Sequence, residues 1–158
     1  MSNRSRIADF WVEFCRQSNV APEIQYQTWF FGNNKIQARE LADLVVHGPK
    51  RATASLVAFN ELHPDMAPVP DGFSVITDFD GEPVCVIRTT EIRTVPFIDV
   101  DERFAFDEGE DDRTLESWRA GHRAYFRREA AENGFEFDDD SLICCERFEL
   151  LFPKVSER

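Results

Sequence analysis

The segment GPKRATAS, residues 48–55, is the feature that most restricts how this chain can fold. Its Gly-Pro start favours a bend, because glycine tolerates positive φ and proline fixes its own φ and restricts the residue before it. After the bend, alternate side chains of an extended segment share a face, so Arg51, Thr53 and Ser55 point one way. Lys50 points the other way unless the backbone kinks, and a kink would bring its ammonium and a hydroxyl to one ligand. A strand that begins with a solvated Lys-Arg pair fits the same spacing.

Three stretches have the apolar spacing of amphipathic helices. In residues 4–18, an aromatic stripe is predicted to pack on the rest of the fold. Asn33 or Asn34 can cap a second helix that runs to about residue 46, with Gly48 as its C′ residue. Residues 114–133 form the longest predicted helix. The side chains predicted to point inward from the second helix are Ile36, Leu41, Leu44 and Val45.

Extended segments alternate with these helices. Residues 73–79 and 83–94 are predicted to form a hairpin, because an Asp-Gly turn signal separates them. Residues 26–31 and 143–153 are the other clear strand candidates. No repeat or linker divides the chain, so we expect one α+β domain over residues 1–158.

The charge of the chain bears on what it binds. Its formal net charge is −12, with 30 acidic residues against 18 lysines and arginines. An acidic surface repels phosphate backbones, and nonspecific RNA binding depends on lysine and arginine contacts that release counterions. The composition therefore favours a small uncharged ligand over long RNA, unless a local basic patch forms. Arg88, Arg93 and Arg147 would form such a patch if the fold brings them together.

The cysteines give no sign of a metal centre or a disulfide framework. They lie at positions 15, 85, 144 and 145, without a C-x-x-C pair. We expect buried thiols in a reducing compartment and neither a metal nor a cofactor. No run of apolar residues approaches the length of a membrane span, so the expected location is the cytoplasm. The oligomeric state stays open.

A run of acidic residues at 107–112 precedes the longest helix. Such a run is commonly a solvated turn, and its charges favour the helix N-terminus. It lacks the alternating D-x-D-x-D-G arrangement of a calcium loop.

Several segments, in a fixed order, give the chain a resemblance to a known family. They run from the aromatic WFFG at 29–32, through the lysine-threonine segment and the acidic run, to the strand segment CERF at 145–148. Together they cover about residues 26–153, and in this order they resemble the ASCH domain family. The resemblance implies a PUA-like fold: a small β-barrel flanked by α-helices, with a cleft that faces RNA or a nucleoside.

The resemblance also implies a set of site residues. Amidohydrolase-like members use a lysine, a threonine and a glutamate, which match Lys50, Thr53 and Glu110 here. Glu108 and Asp111 are the neighbouring acids that a gap would substitute for Glu110. The chain departs from the common pattern at Pro49 and Arg51. The residues expected to contact the substrate are Arg51, Ser55, Arg88 and Trp29.

Two assignments of the chemistry are open at this point. Lys50 can act as a base only when neutral, which requires a pKa lowered by burial or by a nearby cation such as Arg51. Glu110 pulls the other way, because a close carboxylate stabilises the ammonium. In that case Lys50 stabilises an oxyanion and Glu110 is the base. Thr53 attacks directly or orients water.

The function expected from the resemblance is hydrolysis of an amide on an N4-acylcytidine-like nucleoside. The alternatives are an RNA-binding module or weak ribonuclease that uses the same cleft, and a domain that senses a nucleotide-like metabolite without turnover. Trp29, Phe31 and Trp118 could stack a base or belong to the core. His122, on the apolar face of the longest helix, is expected to be a packed or hydrogen-bonded core histidine.

Overall fold

A computed structural model describes residues 2–154 as a mixed α+β fold. The helices are α1 (Asn3–Ser18), α2 (Lys35–His47), α3 (Val57–Leu62), α4 (Glu102–Glu108) and α5 (Leu115–Asn133), with 3-10 turns at Pro64–Met66 and Phe97–Asp99. The strands are β1 (Tyr26–Trp29), β2 (Ala52–Leu56), β3 (Phe73–Thr77), β4 (Pro83–Pro96) and β5 (Leu142–Phe152). Within residues 2–154, no helix is long and apolar enough to cross a membrane.

The strands form one sheet in the order β1-β3-β4-β5-β2. β1 pairs with β3 in parallel, and the other neighbours are antiparallel. Irregularities in the β4–β5 register, at Val86/Ile87 and Thr89/Glu91, bend this long pair, as β-bulges do. The edge strands β1 and β2 do not pair with each other among the described residues, so the sheet is open. The closed barrel that the resemblance implies is therefore not confirmed.

Most of the predicted helix ends agree with the structure, but α2 differs from the prediction in two respects. Asn34 is its N-cap, with a side chain that accepts from the Gln37 amide. Gly48 has an extended conformation, φ −130° and ψ −162°, and not the left-handed C′ geometry that we predicted. Ile36 is 71% exposed, so its predicted inward orientation is wrong. It lies two positions from the buried Ala38, which turns it about 200° around the helix axis.

Three apolar clusters cover the two faces of the sheet. On one face, α1 packs Trp11 and Phe14 against strand residues Val75 and Val86. A second cluster joins α2 to β3 and β4, and a third joins α4 and α5 to β2 and β5. All four cysteines are buried and free, which confirms the prediction of buried thiols. This packing fixes the position of α5 and of the acidic loop before it.

Candidate functional site

Lys50 lies at the centre of a buried charge cluster. It lies three residues after the end of α2, its side chain is 1% exposed, and its amide donates to the Leu44 carbonyl at 3.2 Å. The ammonium contacts the Ala52 carbonyl at 2.8 Å, Oε1 of Glu108 at 3.1 Å and Oε2 of Glu110 at 2.8 Å. The Glu108 carbonyl lies 3.3 Å away. An ammonium has three protons, so these protein acceptors already saturate it.

Gly109 allows the acids on either side of it, Glu108 and Glu110, to reach Lys50. It ends α4 in the left-handed region, with φ +68°. A Cβ there would lie 2.8 Å from both the nitrogen and the Cα of Lys50, so only glycine fits this close approach. The Arg51 amide donates to the Asp107 carbonyl at 2.8 Å and ties the two segments together. The acidic run is thus partly built into the site and is not only a solvated turn.

Glu108 is the fully buried anion of the cluster, with 1% exposure. Its Oε2 accepts from Nε1 of Trp118 and lies 3.0 Å from Nε2 of His122. Burial opposes its charge, but His122 and Lys50 outweigh burial and hold the pKa of Glu108 well below its ordinary value. The same contact overcomes burial at His122 and raises its pKa. The imidazole also stacks on the Trp118 indole, with ring centroids 4.2 Å apart.

Glu110 has the opposite character, although it contacts the same ammonium. Its side chain is 24% exposed and lines a cavity that is open to solvent. Burial raises its pKa, and the charge on Glu108 raises it further against the opposing effect of Lys50. Two acids in one cluster therefore have pKa values pushed apart, a pattern that suits one carboxyl to proton transfer.

The pKa of Lys50 discriminates between the two chemistries left open by the sequence. Burial alone would lower it, but Glu108 and Glu110 outweigh burial and raise it. This direction favours an ammonium over a neutral lysine base. Arg51 is not placed to change that result, because its Nη1 donates to the carbonyls of Val45 and Lys50 at 2.9 and 2.6 Å.

Two cavities meet beside β2. The smaller, of about 290 Å³, is lined by Lys50, Glu108, Glu110 and His122. The larger, of about 690 Å³, lies between the edge strands β1 and β2 and is mainly apolar. The residues that line both cavities are Phe31, Gly32, Thr53, Ala54 and Tyr125. The two spaces therefore adjoin, and Thr53 lies where they meet.

The sequence-predicted residues divide into two groups. The predicted catalytic residues Lys50, Thr53 and Glu110 all line the smaller cavity, as does the neighbouring Asp111. Trp29 and Ser55 line the larger one, where the Ser55 hydroxyl accepts from Asn60 at 3.0 Å. Arg51 and Arg88 line neither cavity.

The three arginines that were candidates for a basic patch do not converge on the cleft. Arg88 is paired with Asp71 at 3.6 Å. Arg147 contacts Asp107 and Glu91, each at 3.0 Å. Arg93 and Arg147 share a crevice of about 30 Å³, which is too small for a nucleotide. These pairings neutralise cations that an RNA backbone would need.

Three ligand atoms of Glu108, Glu110 and His122 lie within 4.8 Å of one another, close enough to hold a metal ion. The ammonium of Lys50 already contacts both carboxylates at 2.8–3.1 Å. A divalent cation at this point would have to displace the Lys50 ammonium, or it would be repelled by the positive charge of that ammonium. The cluster is therefore better suited to its internal cation than to a metal.

Sequence reasoning left three residues of this region out of the candidate site: Trp118, His122 and Glu146. His122 is packed and hydrogen-bonded, as expected, but its partner is the buried acid of the cluster. His122 and Trp118 are one helical turn apart on α5, a spacing that signals a shared face and explains why both reach Glu108. Glu146 on β5 is 6% exposed, lines the larger cavity and accepts from the Thr89 hydroxyl at 2.6 Å. Its only sequence signal is an acid within an apolar strand.

Comparisons with known proteins agree with this architecture. The chain is similar to an ASCH domain from Lactobacillus crispatus JV V101, with 31% identity and a TM-score of 0.84, over 93% of this chain and 94% of that one. It is also similar to protein EF3133 from Enterococcus faecalis V583, with 29% identity and a TM-score of 0.83, over 92% and 88% of the two chains. No curated protein matches it. The ASCH domain family model matches residues 27–152, which include the whole charge cluster, and the chain belongs to the ASCH domain family.

Proposed function

We propose that this protein hydrolyses the amide bond of an acylated nucleoside of the N4-acylcytidine type. The observation that carries the proposal is that Lys50, Thr53 and Glu110, which are separated along the chain, line one cavity. That cavity adjoins a larger apolar one with aromatic walls, which suits a planar base.

Glu110 is the proton-transfer group of the proposed reaction. Its carboxylate takes a proton from the nucleophile as the nucleophile's oxygen bonds to the carbonyl carbon. The carbon–nitrogen bond then breaks, and the same proton passes from Glu110 to the departing amine. With water as the nucleophile, the products are a carboxylic acid and cytidine. The raised pKa of Glu110 suits a group that must both accept and release a proton.

Lys50 and Thr53 support this transfer in different ways. The Lys50 ammonium fixes Glu110 by direct contact and provides positive charge beside the developing oxyanion. The Thr53 hydroxyl has no protein hydrogen-bond partner among residues 2–154, so it is available to the substrate or to water. Thr53 therefore orients the attacking water, or it attacks the carbonyl itself. In the second case the amine leaves, an ester forms on Thr53, and water then hydrolyses that ester to the carboxylic acid, with Glu110 again taking the proton and returning it to the Thr53 oxygen. Thr53→Ser retains either role, and Thr53→Val removes both.

The direct test is incubation of the purified protein with N4-acetylcytidine, with cytidine and acetate followed by chromatography. Wild type should release both, and Lys50→Ala should abolish the release. Arg88→Ala is the matched cation control, because Arg88 lines neither cavity. Equal turnover by wild type and the Lys50 variant would reject the assignment.

The arrangement gives less support to the RNA-binding alternative. The Arg88 and Arg147 side chains are paired with acids, and the net charge of the chain is −12. An RNA-binding role would require affinity that falls steeply as salt rises. A titration with a short single-stranded RNA at low salt should show no such binding.

A further inference from the structure

Glu146 is a buried acid that the proposed hydrolysis leaves without a role. Its side chain lies on β5, is 6% exposed and lines the larger cavity. The Thr89 hydroxyl donates to Oε2 at 2.6 Å. The other oxygen, Oε1, has no hydrogen-bond partner among residues 2–154, although buried carboxyl oxygens are normally paired. That oxygen is open to solvent. Within residues 2–154, the side-chain atoms that are both closed off from solvent and unpaired are the Nε atoms of Arg119 and Arg123.

Glu146 is also the direct cross-strand neighbour of Thr53. The two residues are paired in the β2–β5 register, so their side chains leave the same face of the sheet. Directly opposite residues of an antiparallel pair have Cβ atoms about 4.5–5.5 Å apart. A ligand group beside the Thr53 hydroxyl is therefore also within reach of the Glu146 carboxyl.

The two cavities assign different parts of an amide to these residues. Lys50 and Glu110 line only the smaller cavity, Glu146 lines only the larger one, and Thr53 lines both. For a scissile bond beside Thr53, the side of Lys50 suits the carbonyl, whose oxygen becomes negative, and the side of Glu146 suits the nitrogen, which carries the hydrogen. The leaving base then occupies the larger cavity and the acyl group the smaller.

We propose that Glu146, held by Thr89, accepts a hydrogen bond from the exocyclic N–H of the base in the larger cavity. This inference rests on the proposed function for the identity of the ligand. It makes Glu146 a specificity-determining residue, which selects bases with an N–H beside the ring nitrogen. A base that carries two alkyl groups on its exocyclic nitrogen has no such N–H. It therefore leaves the Glu146 carboxyl buried and unpaired, which is unfavourable.

Burial raises the pKa of Glu146 against the opposing effects of Thr89 and Lys50. Both the ionised and the protonated carboxyl retain an acceptor oxygen, so the recognition does not depend on its charge. Aromatic side chains of the same cavity, among them Trp29, Phe31 and Tyr125, offer faces on which a base can stack.

The test measures binding and needs no turnover. Cytidine and N4,N4-dimethylcytidine are titrated into the full chain by calorimetry, since neither has an amide to hydrolyse. Wild type should bind cytidine on the order of tenfold more tightly. Glu146→Leu, which is similar in size and cannot accept, should bind the two nucleosides equally. Glu149→Leu is the matched control on an exposed position of the same strand and should keep the preference.

Thr89→Val is a second variant that keeps the carboxyl but removes the donor to Oε2. It should reduce the preference for cytidine, and it keeps the proposal testable if Glu146→Leu does not fold. A preference that persists in Glu146→Leu is steric and overturns the proposal, as does a lack of cytidine binding by wild type. If wild type does not hydrolyse N4-acetylcytidine but still binds cytidine more tightly than N4,N4-dimethylcytidine, the proposed hydrolysis is rejected and the role of Glu146 in recognition is retained.

Discussion

The Nζ of Lys50 lies 2.8 Å from Oε2 of Glu110, although 60 residues separate them in the sequence. Glu108, two residues earlier, contacts the same ammonium from the core side at 3.1 Å. One lysine therefore fixes two acids with different environments, one sealed beside Trp118 and His122 and one open to the cleft. Glu108 thus holds the cluster together, while Glu110 lines the smaller cavity, where we propose that it transfers a proton.

Loss of the Lys50 ammonium should destabilise the fold strongly. Lys50→Met keeps the approximate length of the side chain but removes one of the two cations beside the buried Glu108, the other being His122. Breaking a buried pair in this way costs about 3–5 kcal/mol. Chemical denaturation should show this loss. Lys35→Met is the control, because the Lys35–Asp80 pair at 3.0 Å is exposed and is worth at most about 1 kcal/mol.

Replacement of Gly109 should displace the acids from the lysine. Gly109→Ala places a Cβ 2.8 Å from the Lys50 backbone at φ +68°. The left-handed conformation alone costs about 1–2 kcal/mol for a residue with a Cβ, and the clash adds to that cost. Gly134→Ala is the matched control, since it has φ +78° with no atom within 4 Å of the added Cβ. Thermal unfolding should show a larger loss for Gly109→Ala, and equal losses would contradict the close approach.

The contact between His122 and Glu108 should make stability depend on pH. The pKa of His122 is raised above its ordinary value of 6.5 in the fold. Its contribution is therefore fully present below about pH 6.5 and is lost as the pH rises through the folded-state pKa. The difference in unfolding free energy between wild type and His122→Asn should shrink over that interval. If the difference in unfolding free energy instead grows with pH, the imidazole of His122 is not stabilised in its charged form.

Arg51 should matter for stability and not for turnover. Its guanidinium donates to the carbonyls of Val45 and Lys50, and Arg51 lines neither cavity. Arg51→Ala should cost about 1.5–3 kcal/mol, because the charged guanidinium donates both of these hydrogen bonds, and should leave the KM for N4-acetylcytidine unchanged. A rise in KM without loss of stability would restore Arg51 to the substrate-binding set.

Local sequence signals predicted the elements of this fold well. The Asp-Gly turn marks the β3–β4 hairpin, and Thr114 and Gly134 delimit α5 by their cap geometry. Residues at the ends of elements carry these signals themselves, because caps and turns are satisfied by their own side chains and φ angles. The prediction that Ile36 points inward was wrong, because apolar character alone does not indicate which face of a short helix is covered.

The site was predictable only in part, for a different reason. The resemblance indicates the lysine, the threonine and the acidic run as site residues. Their contacts, however, depend on how closely the backbone at Gly109 passes Lys50. The local sequence does not show that Glu108 is buried while Glu110 is partly exposed, since both belong to one run of acidic residues. Glu146 escaped detection because its role depends on the cross-strand register with Thr53, which is a long-range property.

The central claim is that Glu110, and not its neighbours, transfers the proton. The most direct measurement is kcat/KM for N4-acetylcytidine in wild type, Glu110→Gln and Asp111→Asn. Asp111 lines the same cavity at φ +51°, a conformation that asparagine also tolerates, so the comparison varies only which carboxyl is removed. Loss of proton transfer should lower the value for Glu110→Gln by about 10²–10⁴-fold and leave Asp111→Asn near wild type. Full activity in Glu110→Gln, or no hydrolysis by wild type, would contradict the account.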